Sequence, residues 1–214
     1  MLLLAATALT QPVQNVRDPA AREILDCTAE KIRLLKSIQA DFELVIEDRK
    51  EKTRNVSTGN LLIKQNKYRI ISSGTTVYFN GKTMWTYTPD VKEVTITEPE
   101  KNEDQFLSNP TILFSDYNND FKYKYIRETH LKGSTLHEID LFPVNLKQPY
   151  SRIKLFVNTG NHLPEMIKSI GKDGIDYTVT FKNMVTDSEI DDAAFVFDQA
   201  AHKKVEVIDL RGTK

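Results

Sequence analysis

Gly81-Lys82-Thr83 has the ending of a phosphate-binding loop, where backbone N–H groups and a lysine cradle a phosphate. That pattern also needs a glycine at position 76, which is Thr76, and a helix after the lysine, where the residues read as a strand. The segment is therefore read as a hairpin. His130, His137, His162 and His202 are too dispersed for a sequence-local metal site, and His137-Glu138 lacks a second histidine four residues on. Asp116, Asn118 and Asp120 begin like a calcium loop, but Phe121 stands where its glycine belongs and Arg127 where its bidentate glutamate belongs. No G-x-S-x-G nucleophile elbow is present. Carboxylate pairs are those of any charged surface, and Asn55-Val56-Ser57 matches the glycosylation triplet, a frequent accident. The reading is a protein that is not an enzyme and uses no cofactor or metal.

With catalysis set aside, the apolar residues carry the information. Leu61-Leu62-Ile63, Tyr68 with Ile70-Ile71, Met84-Trp85 with Tyr87, and Ile153 with Leu155-Phe156 put bulky groups on both sides of single strands. A sheet with one wetted face does not need that. Either the second face is ordinary barrel packing, or it lines a lipid-sized cavity.

The elements that would position these residues follow from periodicity. Asp18-Pro19 is an N-cap followed by proline at the first helical position, and the apolar stripe Ile24, Cys27, Thr28, Lys31, Ile32, Leu35, Ile38 predicts a helix from about Pro19 to Ser37. Strands follow around Phe42–Glu47, Val56–Lys64, Lys67–Ile71, Val77–Phe79, Met84–Tyr87 and Val91–Thr97. Asn80-Gly81 is read as a tight hairpin with positive φ at both residues, and Gly59 as a bulge or bend. That bulge leaves open which strand parity faces a cavity. Between residues 98 and 120 the pattern breaks, with Phe106-Leu107, an Asn109-Pro110 helix start and Ile112-Leu113-Phe114, read as a lid or a plug. Five more strands run from Lys122 to Asn183, then one helical turn at Asp191–Ala194, Phe195-Val196-Phe197 and a last strand at Val205–Ile208. The fold class is mainly β with few helices: a curled antiparallel sheet forming an incomplete β-barrel, covered by an N-terminal helix and a short helical lid.

The chain has 214 residues and a net charge of −1. The length suits one domain, residues 18–214, and the charge excludes a basic field for nucleic acid. Residues 1–17 read as a signal-like segment and leader, with Ala6-Thr7-Ala8 as the cleavage-site pattern and no basic residue before the apolar run. The single cysteine, Cys27, excludes an internal disulfide and is expected to be a small buried hydrophobe.

Gly81-Lys82-Thr83-Met84-Trp85-Thr86-Tyr87-Thr88-Pro89 resembles the D-G-K-x-L-W-x-Y-x-P segment of the periplasmic outer-membrane lipoprotein carriers, the LolA-like proteins. Gly59-Asn60-Leu61-Leu62-Ile63-Lys64, Lys67-Tyr68-Arg69, Asn109-Pro110 with Ile112-Leu113, and Phe195-Val196-Phe197 are similar to other segments of that family. The resemblance implies a half-closed barrel that binds lipoprotein acyl chains and carries them through the periplasm as a monomer. It implies acylated lipoproteins, an inner-membrane lipoprotein-releasing transporter and an outer-membrane acceptor as partners. The cavity expected on this basis is lined by Phe42, Leu44, Leu61, Ile63, Tyr68, Ile70, Trp85 and Tyr87, under a lid of Phe106, Leu107, Ile112, Leu113 and Phe114. Met84 and Met166 suit a cavity that must reshape. The family's lid-latching arginine is missing, which leaves Lys64, Gln65 and Arg69 as candidates for that role. The alternative is a periplasmic lipid- or peptide-sensing regulatory module of the same fold.

Overall fold

The computed structural model describes residues 17–98 and 117–212. The first helix, α1 (Pro19–Leu34), starts where its cap predicts: Asp18 Oδ1 accepts from the Ala20 N–H at 2.9 Å, with Pro19 at the first helical position. The same aspartate fixes the helix to the sheet, because its other carboxylate oxygen accepts from Tyr125 N and its own N–H donates to Tyr123 O. The buried stripe is Ala21, Leu25 and Thr28, one step round from the predicted one. Cys27 is exposed, contrary to the expectation from its type. The helix ends at Leu34 rather than Ser37 because Ile38 already pairs with Ile63 on one side and Thr186 on the other. Ser37 Oγ donates to Ser188 O at 2.7 Å and Lys36 N to Asp187 Oδ1 at 2.8 Å, which holds the chain in the extended turn.

The strands are β1 (Ile38–Asp48), β2 (Thr53–Lys64), β3 (Lys67–Ser72), β4 (Thr75–Phe79), β5 (Met84–Thr88), β6 (Glu93–Thr97), β7 (Phe121–Leu131), β8 (Ser134–Pro143), β9 (Tyr150–Asn158), β10 (Pro164–Gly171), β11 (Ile175–Thr186) and β12 (Glu206–Asp209). A short helix, α2 (Tyr117–Asp120), precedes β7, and a 3-10 turn spans Asp192–Phe195. All twelve strands form one sheet in the order β12-β6-β5-β4-β3-β2-β1-β11-β10-β9-β8-β7, open at both ends. It is two antiparallel meanders joined by the long-range β1–β11 pair. One pair departs from the antiparallel expectation: β12 lies parallel to β6, because the chain crosses behind the sheet before it returns to that edge. The predicted lid, with Phe106, Leu107, Ile112, Leu113 and Phe114, lies outside the described residues, as do residues 1–16.

Two glycines have specific causes. Gly59 is not a bulge: the β1–β2 and β2–β3 registers run through it unbroken. It is glycine because a Cβ there would lie 2.3 Å from the Phe42 ring and 2.3 Å from the Ile71 carbonyl oxygen. Gly81 has φ +97°, but Asn80 does not take positive φ, so the β4–β5 link is not the two-residue turn predicted. Instead Asn80 Oδ1 accepts from the N–H groups of Lys82 and Thr83, an Asx turn within a four-residue loop.

Residues directly paired across strands share a face. One row runs Leu44, Val179, Ile167, Leu155, Ile139, Tyr125 from β1 to β7. It lies on the side where α1 packs, and Leu25 and Ala21 close over Tyr123, Ile139, Leu141, Ile153 and Leu155 there. This is the core of the β7–β10 half. At about 25 cal/mol per Å² of apolar area removed from water, it is the main source of stability on that side.

Candidate functional site

Beyond Leu25 only Ala29 of the helix still packs against the core cluster, and a cavity of about 760 Å³ opens between the second half of α1 and the sheet. Ile32 comes from the helix, Leu35 from its C-cap, Ile38 from β1, Leu61 and Ile63 from β2, Pro164 and Ile167 from β10, and Phe181 and Met184 from β11. Leu163, just before β10, completes an apolar wall. Met184 reaches it through a bulge that the sequence did not reveal: the β1–β11 register slips between Gln39 and Asp41, where Asn183 takes φ 48°. The extra residue returns Met184 to the face of Phe181, and Asn183 Nδ2 donates to Asp41 Oδ2 at 3.0 Å to hold the kink.

The polar groups sit on one side of the opening, on α1: Asp26, Glu30 and Arg33, with Ser37 and Gln65 beyond them. Four of the five already have partners. Arg33 forks onto Glu30 at 2.8 and 3.0 Å, and this hydrogen bonding holds the Glu30 carboxyl below its usual range. The Tyr117 hydroxyl donates to Asp26, and burial, reinforced by that bond, pushes the phenol upward. The site therefore offers an apolar chamber with a self-satisfied polar rim. Among the described residues it has no nucleophile–base pair, and no group of three or more His, Cys, Asp or Glu is placed to hold a metal. Such a chamber can hold hydrocarbon: each buried CH₂ contributes about 0.8 kcal/mol.

The family model described as outer membrane lipoprotein carrier protein LolA matches residues 33–198. The chain belongs to the LolA family. Solved structures resemble it at low sequence identity. An uncharacterized conserved protein from Thermus thermophilus is 14% identical, with 89% of this chain and 99% of that one covered and a TM-score of 0.58. A DUF1329 family protein from Desulfovibrio piger is 15% identical over 87% and 100% of the two chains, with a TM-score of 0.49. A LolA superfamily protein from Nitrosomonas europaea is 14% identical over 84% and 98%, with a TM-score of 0.45. Among curated proteins none matches.

Of the residues that the LolA resemblance placed around a cavity, the pairing register brings six to the helix face. Ile63 pairs with Tyr68, Leu61 with Ile70, and Phe42 and Leu44 lie on the same side. Leu61 and Ile63 line the chamber itself. Tyr68 is 2% exposed, its hydroxyl meets Met84 Sδ at 3.7 Å, and burial pushes its phenol up to about 12. Trp85 and Tyr87 are not on this face. Trp85 pairs with Tyr78 and Ile96, and Tyr87 with Thr76 and Val94, all on the back of the sheet. The reason is strict alternation: with Met84 on the helix face, its neighbour must point away. Met166 is likewise on the back, opposite Thr180, and Met184 takes the place expected of it.

The latch candidates separate in the same way. Lys64 is on the back face, where its ammonium donates to Ile190 O at 2.8 Å and Asp192 Oδ1 at 2.7 Å. Arg69 lies between Leu62 and Tyr78 on that face. Only Gln65, in the β2–β3 turn at φ 56°, borders the chamber. Sequence reasoning missed Leu163, Pro164, Ile167 and Phe181. Their strands were legible, but not the long β1–β11 pairing that folds them opposite β2.

Proposed function

We propose that this chain is a periplasmic carrier. It takes the acyl chains of lipoproteins into the chamber between α1 and the sheet and shuttles them from the inner to the outer membrane. The observation that carries this reading is the joint one: a LolA family match over residues 33–198 and, within that span, most of the wall of an apolar chamber of about 760 Å³. Such a volume is in the range of small-molecule sites and suits flexible hydrocarbon more than a folded peptide. The periplasm fits a family of outer-membrane lipoprotein carriers, and among the described residues no helix is long and apolar enough to cross a membrane.

On this reading the donor is an inner-membrane lipoprotein-releasing transporter and the recipient an outer-membrane acceptor. Transfer needs no covalent step. Water makes free acyl chains costly, the chamber lowers that cost, and an acceptor with a drier or larger site takes them over. On this reading the gate is the stretch with Phe106, Leu107, Ile112, Leu113 and Phe114, which crosslinking through introduced cysteines would hold shut against uptake. Mass spectrometry of lipid or lipoprotein co-purified from the native compartment tests the reading. Acylated polypeptide released by detergent supports it, and recovery of empty protein that cannot bind a fluorescent acyl probe overturns it.

A further inference from the structure

On the back of the β7–β8 end, a second hollow has no counterpart in the carrier reading. It measures about 330 Å³ and is lined by Lys122, Lys124 and Lys172, the Ser151 side chain, Phe142 and Leu146. Lys147 adds a further exposed ammonium beside Leu146 in the β8–β9 loop. Among the described residues, Lys122, Lys124 and Lys147 pair with no carboxylate, and Lys172 gives its ammonium to Leu146 O at 2.5 Å. The acids around them are engaged. Asp140 holds Arg152 at 2.7 Å and Lys154 at 3.2 Å, Asp173 accepts from Ile175 N at 2.9 Å, and Asp120 also has a partner. Four ammonium groups thus outnumber the two carboxylates beside them, Asp120 and Asp173, so the patch is locally positive on a chain whose net charge is −1.

The loop that carries it is ordered yet presents apolar groups to solvent. Leu146 is 78% exposed and Val144 46%. Floppiness does not explain this, because Val144 N donates to Asp120 O, Lys147 N to Asn145 Oδ1, Gln148 N to Asn145 O and Lys172 N to Pro149 O. A pinned leucine beside unpaired ammonium groups has the chemistry of an interfacial anchor: the side chain enters the acyl boundary and the lysines meet head-group phosphates. Lysines make non-directional point charges, which suits a fluid surface better than a fixed acidic groove on a protein.

We infer that the Lys122–Lys124–Lys147–Lys172 patch with Leu146 docks this protein on a membrane surface containing anionic phospholipid. The docking leaves the carrier site free. Lys124 and Asp140 share the back face, whereas Tyr123 and Leu141 beside them point to α1, so the helix and chamber lie on the other side of the sheet from the bilayer.

The test is co-sedimentation of the whole protein with phosphatidylcholine vesicles, with and without phosphatidylglycerol, across a salt series. The expected result is association with the anionic vesicles only, weakening as salt rises. Lys122→Gln, Lys124→Gln and Lys147→Gln together reduce it on the order of fivefold per charge. Leu146→Trp emission, read as a difference against the native Trp85 signal, should shift to the blue on those vesicles. Equal binding to neutral vesicles, an unchanged triple variant, or binding of inorganic phosphate without vesicle association would overturn the inference. Circular dichroism and acyl-probe uptake of the triple variant separate this from misfolding. Retained docking with no probe uptake would count against the carrier reading alone.

Discussion

Strands β1–β6 and β7–β11 each have a back face away from α1, and among the described residues they cover it differently. Behind β2–β6 the rows are apolar and aromatic: Leu62, Arg69, Tyr78, Trp85, Ile96 in one, and Ile71, Thr76, Tyr87, Val94 in the next. The chain after β11 crosses them as a strap. Phe195 is fully buried, Phe197 lies 5.1 Å from Tyr87 and 6.0 Å from Tyr78 between ring centroids, and His202 closes on both Phe197 and Tyr87 at 4.7 Å. Behind β7–β11 there is no strap among the described residues, and the face is a ladder of charge. Lys154 reaches Glu138 at 2.7 Å and Asp140 at 3.2 Å, Arg127 and Arg152 cap the two acids, and Lys168 and Lys182 bind Glu47 and Glu43. The difference follows from the helix face. In β7–β9 that face is filled by α1, so the core there is complete and the back can face water. Over β1 and β2 the helix face borders the chamber, so more of the stability of that half must come from behind.

The largest test removes the strap's anchor. Phe195→Ala should cost about 3–5 kcal/mol in urea unfolding, the scale of deleting a buried aromatic. Leu155→Ala in the opposite half should cost about 2–5 kcal/mol. The comparison lies in hydrogen exchange: Phe195→Ala should loosen β3–β6 selectively, and Leu155→Ala β8–β10. Uniform loosening by both would show that the two halves are one cooperative unit.

The charged half is tested by Lys154→Met. Glu138 and Asp140 are each 3% exposed and would keep one arginine apiece, so the expected loss is about 2–3 kcal/mol, the scale of charged hydrogen bonds. Burial pushes the Glu138 carboxyl up, but Lys154 and Arg127 outweigh it and hold it below its ordinary range. A depressed carboxylate stabilises the fold above its unfolded value and loses that contribution as pH falls. The gap between wild type and Lys154→Met should therefore narrow on acidification below about pH 4. A gap that is constant with pH would mean that Lys154 acts through packing.

A third test separates the faces of the strapped half. Ile63→Asp, at the chamber wall, should weaken acyl-probe binding by about tenfold or more, ~1.4 kcal/mol. Trp85→Leu, on the back of the same meander, should leave the probe affinity unchanged while lowering stability. Fluorescence titration reads the first and thermal melting the second. If Trp85→Leu also weakened binding, the strap would be coupled to the chamber.

These contrasts show what was legible. Strand positions were, because period-two patterns and turn residues such as Pro89-Asp90 and Asn158-Thr159-Gly160 are local. Face assignment was not. In β5 both parities carry large apolar groups, and only the pairing of Trp85 with Tyr78 and Ile96 shows that the back is strapped. Phe195-Val196-Phe197 was noticed for its resemblance, yet nothing local says that it crosses strands more than a hundred residues earlier. Cys27 was misplaced because Ala21, Leu25 and Thr28 and the expected stripe fit the helical period almost equally well. The Asn183 bulge was invisible, since asparagine carries left-handed φ in turns as well as bulges.

The smallest effect expected is at the strap's polar end. Asp192 begins the 3-10 turn and receives Lys64 at 2.7 Å and Lys67 at 2.5 Å. Hydrogen bonds from these two lysines hold its carboxyl down at about 2. It lies in water, which screens the pair, so the aromatic contacts of Phe195 and Phe197 dominate and the aspartate sets position. The sign is nonetheless fixed. A carboxyl depressed in the folded state stabilises the fold fully above its unfolded value near 4 and loses that contribution between about pH 4 and pH 2. Asp192→Asn should therefore lower the melting temperature slightly at neutral pH, and the difference should vanish toward pH 2. It should also shrink at high salt, whereas the Phe195→Ala loss should not. Equal melting of Asp192→Asn and wild type at neutral pH and low salt would show that the Asp192 ion pairs add nothing to the rings, and Lys64 would then act on the strap only through its bond to Ile190 O.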